Sequence, residues 1–184
     1  MIGIIIIMEE KILDVVKDID QICSAKAGQT ILLCGDILSA RDAAHKRISE
    51  LLESGKPLPV DVRDKLIYYL GPTPTRPGQV IGSCGPTSSY RMDKFYEMMC
   101  RLGSLGSIGK GERADDIRRL VQQYRSPYFV TFGGAAAYLA KCVSACSCAA
   151  FDDLGTEAVY RLTLDKFPVV CAYDIDGGSV FNNS

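Results

Sequence analysis

VIGSCGPTSSYRMDKFYEMMCRL, residues 80–102, decides how this chain is read. A short apolar run, Val80-Ile81-Gly82, ends at the turn pair Gly85-Pro86, and a segment of helical period follows. Met92, Phe95, Tyr96, Met99 and Leu102 recur at three- and four-residue spacing, so Ser89–Leu102 reads as an amphipathic helix with that stripe facing a core. Strand, turn and helix in succession form the unit of an α/β domain. Within this unit Thr87, Ser88 and Ser89 bring hydroxyls and free backbone N–H groups to the helix start, and Arg91 lies one turn after Thr87 on the same face. A cation near the positive end of a helix opposes the dipole, so an anion such as a carboxylate is the partner to expect there.

Outward from this unit the alternation continues. Candidate strands are Thr30–Cys34, Leu66–Leu70, Val80–Ser83, Tyr128–Phe132, Val159–Leu164 and Val169–Asp174. Candidate helices are Glu9–Ser24, Ala40–Ser54, Ser89–Leu102, Arg113–Tyr124 and Ala135–Val143. Ser39 reads as the N-cap of the second helix, with Asp42 completing a capping box and Gly55 as terminator. GPTPTRPG, residues 71–78, holds three prolines and is predicted to be a stiff surface loop between two strands.

No repeat or low-complexity linker divides the 184 residues, and with 47% hydrophobic residues they are expected to form a single α/β domain over 1–184. Residues 1–8 read as an extra strand or a poorly ordered extension. The 21 basic residues are interspersed with 22 acidic ones for a net charge of −1, which argues against a nucleic-acid face. The apolar run in MIGIIIIMEEK is too short to span a bilayer and lacks a basic leader and a cleavage site, so no membrane association is expected. Eight cysteines scattered through apolar runs read as reduced thiols, and the cytoplasm is the expected location.

Several segments place polar chemistry where strands give way to helices, the usual ligand position in open α/β folds. In SARDAAHKR, residues 39–47, Arg41 precedes His45 by four on one side of a helix; it is either a ligand-binding cation or a surface arginine paired with Asp42 or another acid. His45, the one histidine, is either a hydrogen-bonded packing residue or a titrating group. In IGKG, residues 108–111, flanking glycines let a backbone come close while Lys110 supplies a point charge, though the spacing is not that of a phosphate loop. FGGAAAYLA, residues 132–140, either aims N–H groups at an anion or packs closely through its alanines. Cys142, Cys146 and Cys148 have C-x3-C-x-C spacing, which matches none of the common zinc or cluster patterns, so no metal ligands are expected in this chain.

The motifs SARDAAHKR, YYLGPTPTRPG, SCGPTSSYRMD, IGKG, FGGAAAYLA and LGTEAVYRL, in this order over nearly the whole chain, resemble the β subunit of class I iron-sulfur fumarases and the related tartrate dehydratases. The resemblance implies a swivelling β/β/α domain with a mixed sheet core and flanking helices. It implies a separate α subunit that carries a 4Fe-4S cluster, with no cofactor bound by this chain, and αβ pairs that associate further. It implies reversible hydration of fumarate to (S)-malate, a hydro-lyase step of the tricarboxylic acid cycle, with the β subunit inactive alone. Residue by residue, Thr87 matches the hydroxyl implicated in proton transfer at the substrate carbon. Arg41, Arg91 and Lys110 match the positions that bind the dicarboxylate. Asp42 and His45 are expected to support Arg41, and Ser88 stands where the family often has a second threonine, keeping a hydroxyl. Tartrate dehydration and a non-catalytic carboxylate-binding or assembly module are the alternatives.

Overall fold

In a computed structural model, residues 11–75 and 77–181 are described; the extension at residues 1–8 lies outside them. Strands β1 (Lys11–Asp14), β2 (Thr30–Ser39), β3 (Leu66–Tyr68), β4 (Gly106–Gly109), β5 (Tyr128–Val130), β6 (Val143–Ala150) and β7 (Val159–Tyr173) form one mixed sheet in the order β1-β2-β3-β4-β5-β7-β6. Strands β1 to β5 run parallel to their neighbours, while β7 runs antiparallel to β5, β6 and β2. Because β7 pairs with both β2 and β5, the succession β2-β3-β4-β5-β7 closes on itself. Val170 sits at the closure, opposite Thr30 on one side and Val130 on the other.

Alternation along the strands divides the core. Leu66, Tyr68 and Leu70 join Ile108, Phe129 and Phe167 on one face, while Ile67 and Tyr69 turn to the other. The second face is covered by α2 (Asp42–Glu53), with Ala44 and Ile48, by α3 (Asp93–Arg101) and the 3-10 turn before it, with Met99 and Met92, and by α4 (Asp115–Tyr124), whose Ile117 and Val121 pack under Tyr128 and Tyr173. Two short helices, α1 (Ile19–Cys23) and α5 (Ala136–Lys141), complete the set.

Four expectations are corrected, and two strands had no counterpart among them. The amphipathic run 9–24 is not one helix: Lys11–Asp14 is a strand paired with Ile31–Cys34, and only Ile19–Cys23 is helical. Short apolar runs do not distinguish the two states by periodicity, and pairing with β2 decided this one. Val80–Ser83 is a loop; the Ser83 N–H donates to Thr73 Oγ1 at 2.7 Å instead of to a strand partner. Ser39 is the last residue of β2 and no cap, since α2 begins at Asp42. The two late strands are a single strand, β7, continuing through Lys166 at φ +51°. Strands β4 and β6, GSIG and VSACSCAA, have few strand-favouring residues and were not anticipated. In β4 small residues are what the packing demands: a Cβ on Gly106 would lie 2.6 Å from the Pro127 carbonyl oxygen, and one on Gly109 would lie 2.0 Å from Ser89 Oγ.

The segments after β3 and β4 are fastened by a buried ion pair. Arg113, with a fully buried side chain, donates through Nε to Asp93 Oδ1 at 2.6 Å and through Nη1 to Ser107 Oγ at 3.2 Å. The other Asp93 oxygen accepts the Ala114 N–H at 2.9 Å. Asp93→Ala is expected to lower unfolding free energy by about 3–5 kcal/mol, because it strands a buried guanidinium; urea unfolding of the purified chain measures it.

Candidate active site

The carboxyl ends of parallel strands β2, β3, β4 and β5 meet at one rim of the sheet, and the residues singled out from the sequence lie on the segments that leave it. Arg41 is the extended residue between β2 and α2. Gly71 follows β3, Thr87–Ser89 crosses between the ends of β3 and β4, and Lys110 directly follows β4. Three backbone contacts hold this rim together. Ala40 N–H donates to Tyr68 O at 3.0 Å, Thr87 N–H to Tyr69 O at 2.7 Å, and Ser89 N–H to Lys110 O at 3.0 Å. Ser88 and Lys110 form a parallel bridge, so the hydroxyl segment acts as a short additional strand beside β4.

The expected helix start is a 3-10 turn, Ser89–Met92, leading into α3 at Asp93. Its N-cap residue, Ser88, makes no side-chain capping bond. Thr87 and Ser88 are half-buried at the rim, whereas Ser89 is fully buried against β4.

Asp42 joins the two arginines. Its carboxylate accepts from Arg91 Nε at 3.2 Å and lies 3.0 Å from Arg91 Nη2, a two-pronged contact, while Arg41 Nε stands 3.9 Å from Oδ2. Arg41 also pairs with Glu157 through Nη2 at 3.3 Å. The surface-pairing alternative for Arg41 thus describes these contacts correctly, although the side chain is only 22% exposed and its Nε is buried without a hydrogen-bond partner. Gly71 makes room for it: a Cβ there would lie 2.7 Å from Arg41 Nη1 and 2.9 Å from the Thr156 carbonyl oxygen. Both guanidiniums thus face one carboxylate, that of Asp42, with Arg91 hydrogen-bonded to it and Arg41 at the longer distance. Lys110 is exposed on the far side of the Thr87–Ser89 segment, with Gly133 beside its stem at 3.9 Å from Cδ.

Glu157 was not foreseen as a functional residue. It pairs with Arg41, and its other oxygen accepts the Ala43 N–H at 3.0 Å, supplying from a distant segment the cap that Ser39 does not. The motif LGTEAVYRL marked the region, but nothing local in it indicated a partner more than a hundred residues earlier. Around the FGGAAAYLA segment, a Cβ on Gly85 would meet Ala136 Cβ at 3.1 Å, which accords with close packing. All eight cysteines are free thiols. Cys142 is buried, Cys146 half-buried and Cys148 exposed, and burial raises the thiol pKa of the first two. Among the described residues no three or more His, Cys, Asp or Glu side chains converge as a metal site. No helix among them is long and apolar enough to cross a membrane.

The family model described as "Fumarase C-terminus" matches residues 8–184. "Fumarate hydratase 2" of Leishmania major is 33% identical over 166 residues, covering 89% of this chain and 29% of that protein. "Fumarate hydratase class I, anaerobic" of Escherichia coli K12 is 34% identical over 151 residues, covering 81% of this chain and 28% of that protein. The chain therefore spans under a third of the length of these fumarate hydratases. "Putative L(+)-tartrate dehydratase subunit beta" of Methanocaldococcus jannaschii is 35% identical over 171 residues, covering 90% of this chain and 86% of that protein.

His45 lies beneath Arg41. Its ring is fully buried, stacked on Phe95 at 5.6 Å and edge-on to Tyr69 at 5.7 Å, and Nδ1 lies 2.7 Å from the Arg41 carbonyl oxygen. A carbonyl only accepts, so Nδ1 carries the proton and His45 braces the backbone that presents Arg41. Burial lowers the imidazole pKa from 6.5 to about 4, and the Arg41 carbonyl only partly opposes this. The unfolded chain therefore binds the proton first, and stability falls as pH drops from about 6.5 towards about 4, by up to about 3 kcal/mol. His45→Gln should flatten the dependence of unfolding free energy on pH across that window, as read by urea titrations at a series of pH values.

Proposed function

The chain belongs to the fumarase C-terminus family, and from that premise we propose that it is the β subunit of a two-subunit hydro-lyase that reversibly hydrates fumarate to (S)-malate. One observation carries this reading: Arg41, Arg91, Lys110 and the Thr87 hydroxyl, distant in sequence, leave the same rim of the parallel strands. Three cations there match the demand of a substrate with two carboxylates. The swivelling β/β/α arrangement belongs to the same proposal, and the closed succession of strands with helices packed outside it is in keeping with it.

The division of labour follows from chemistry. Taking a proton from the carbon beside a carboxylate builds negative charge on that carboxylate, so cations aimed at it bind the transition state more strongly than the ground state. Arg41 and Arg91 bind and orient the diacid, Lys110 adds a compact charge from the far side of Thr87, and the Thr87 oxygen exchanges the proton with the substrate carbon. Neighbouring cations and exclusion of water lower the cost of charge on that oxygen. Asp42 keeps both arginines aligned, His45 supports the Arg41 backbone, and Ser88 supplies a second hydroxyl. In this reading a 4Fe-4S cluster belongs to an α subunit, where it would supply Lewis acidity towards the substrate's oxygens. The chain alone is then inactive, and αβ pairs associate further.

A second reading, the β subunit of a tartrate dehydratase, is favoured by the match covering 86% of the Methanocaldococcus jannaschii β subunit. Rates on fumarate, malate and both tartrate isomers with the α subunit present separate the two. Binding of a dicarboxylate by this chain, with no turnover after a cluster-loaded α subunit is added, would instead identify a carboxylate-binding module. In the reconstituted enzyme Thr87→Ala is expected to cut kcat by about a hundredfold or more while changing KM little. Near-normal turnover in that variant rules out the role given to Thr87.

A further inference from the structure

Ser89 and Tyr128 are polar, fully buried and outside the set of groups assigned to the substrate. Tyr128 Oη lies 2.8 Å from Ser89 Oγ and 2.7 Å from the Gly111 carbonyl oxygen, while the Lys110 N–H donates to Ser89 Oγ at 3.1 Å. The direction of these bonds follows from counting protons. A carbonyl only accepts, so the single phenolic proton goes to Gly111; the phenol oxygen then accepts from the Ser89 hydroxyl, whose oxygen accepts from Lys110. The result is a directed chain from the Lys110 amide through Ser89 and Tyr128 to the Gly111 carbonyl. It begins and ends on the same turn, the one that presents the Lys110 side chain.

Each member of the chain is fixed from outside. Ser89 rests on the backbone of Gly109, where a Cβ would lie 2.0 Å from its Oγ, and its own N–H returns a bond to Lys110 O at 3.0 Å. The Tyr128 ring is edge-on to Tyr173 at 5.5 Å and forms one wall around the Arg113 guanidinium, 5.1 Å away. Burial raises the phenol pKa well above its ordinary value, so Tyr128 remains a donor. Gly111, at φ +80°, allows the chain to turn back here. Ser89 is also two residues from Thr87, so the contact that clamps the lysine turn continues directly into the segment carrying the proposed proton-transfer hydroxyl.

We propose that Ser89 and Tyr128 are positioning residues that clamp the Lys110–Gly111 turn and thereby set where the Lys110 side chain departs from the rim relative to Thr87. This inference rests on the hydro-lyase reading of the rim. Neither residue touches the diacid; they act through Lys110. The clamp joins the end of β4, the Thr87–Ser89 segment and β5, so buried hydroxyls hold the backbone from which the Lys110 stem departs at a fixed place beside the proton-transfer segment.

The test compares Ser89→Ala and Tyr128→Phe, which break the same chain at different members, the second with its ring packing intact. In the purified chain, amide hydrogen exchange followed by NMR should be faster at Lys110 in Ser89→Ala, by about tenfold, with Tyr128→Phe shifted in the same direction. In the complex with the cluster-bearing α subunit, each variant should lower kcat/KM for the diacid by about tenfold or more. In a Lys110→Ala background neither substitution should cost anything further. Unchanged exchange at Lys110 in both variants overturns the clamp. Wild-type kcat/KM in both variants, or an equal loss in the Lys110→Ala background, overturns the positioning role. A wild-type complex inert towards fumarate, malate and both tartrates would bring down the hydro-lyase reading and this inference with it, an outcome distinct from a defect seen only in the variants.

Discussion

The Arg113 guanidinium is the contact on which the rim depends. It is buried completely, paired with Asp93, and surrounded by Tyr96, Tyr128 and Tyr69 at 4.4, 5.1 and 5.5 Å. Burial by itself works against its charge, but the tyrosines and the Asp93 carboxylate more than offset this, so its pKa is raised and it stays ionised. A buried charge of this kind costs several kcal/mol unless partners meet it, which makes the arrangement of those partners close to obligatory. Asp93 is two residues beyond Arg91 and Arg113 is three beyond Lys110. Through this single pair the segments carrying two of the three candidate substrate cations are fastened to each other and to β4.

The rest of the rim relies on close approach of backbones. Parallel strands direct their carboxyl ends the same way, and ring closure through β7 leaves little freedom in how β2 to β5 are spaced. Within that frame Gly71 leaves room for the Arg41 side chain and Gly109 leaves room for Ser89. Both glycines matter for the volume they lack: each lets a polar side chain lie where a methyl group would stand.

Charge at the rim is partly neutralised from within. Asp42 and Glu157 both face Arg41, and Asp42 Oδ1 also accepts a hydrogen bond from Arg91 Nε. Arginine is suited to this, since its planar fork keeps further donors free when some are engaged by a structural acid. His45, held neutral by burial, adds no competing charge beneath them. The arginines are therefore oriented by acids of the chain itself, which under the proposed function reduces the ordering that binding of a diacid would impose.

The local chemistry was legible in the residues themselves: the Met92 and Met99 stripe buried by the 3-10 turn and α3, the Gly55 terminator at φ +66°, and the cationic character of Arg41, Arg91 and Lys110. The order of the motifs was enough for the resemblance to the fumarase family. Strands β4 and β6 were not legible, because glycine, serine, alanine and cysteine have weak strand preferences and are selected there by pairing and close packing. Nor could Ser39 be seen to yield its capping role to Glu157, or Arg113 be told from a surface arginine, since both depend on partners brought from other segments. Sequence by itself determined which residue types were present and their local periodicity. Only the tertiary structure decided which of them met, because burial and hydrogen-bond pairing are properties of neighbours in space, and ring closure chooses those neighbours.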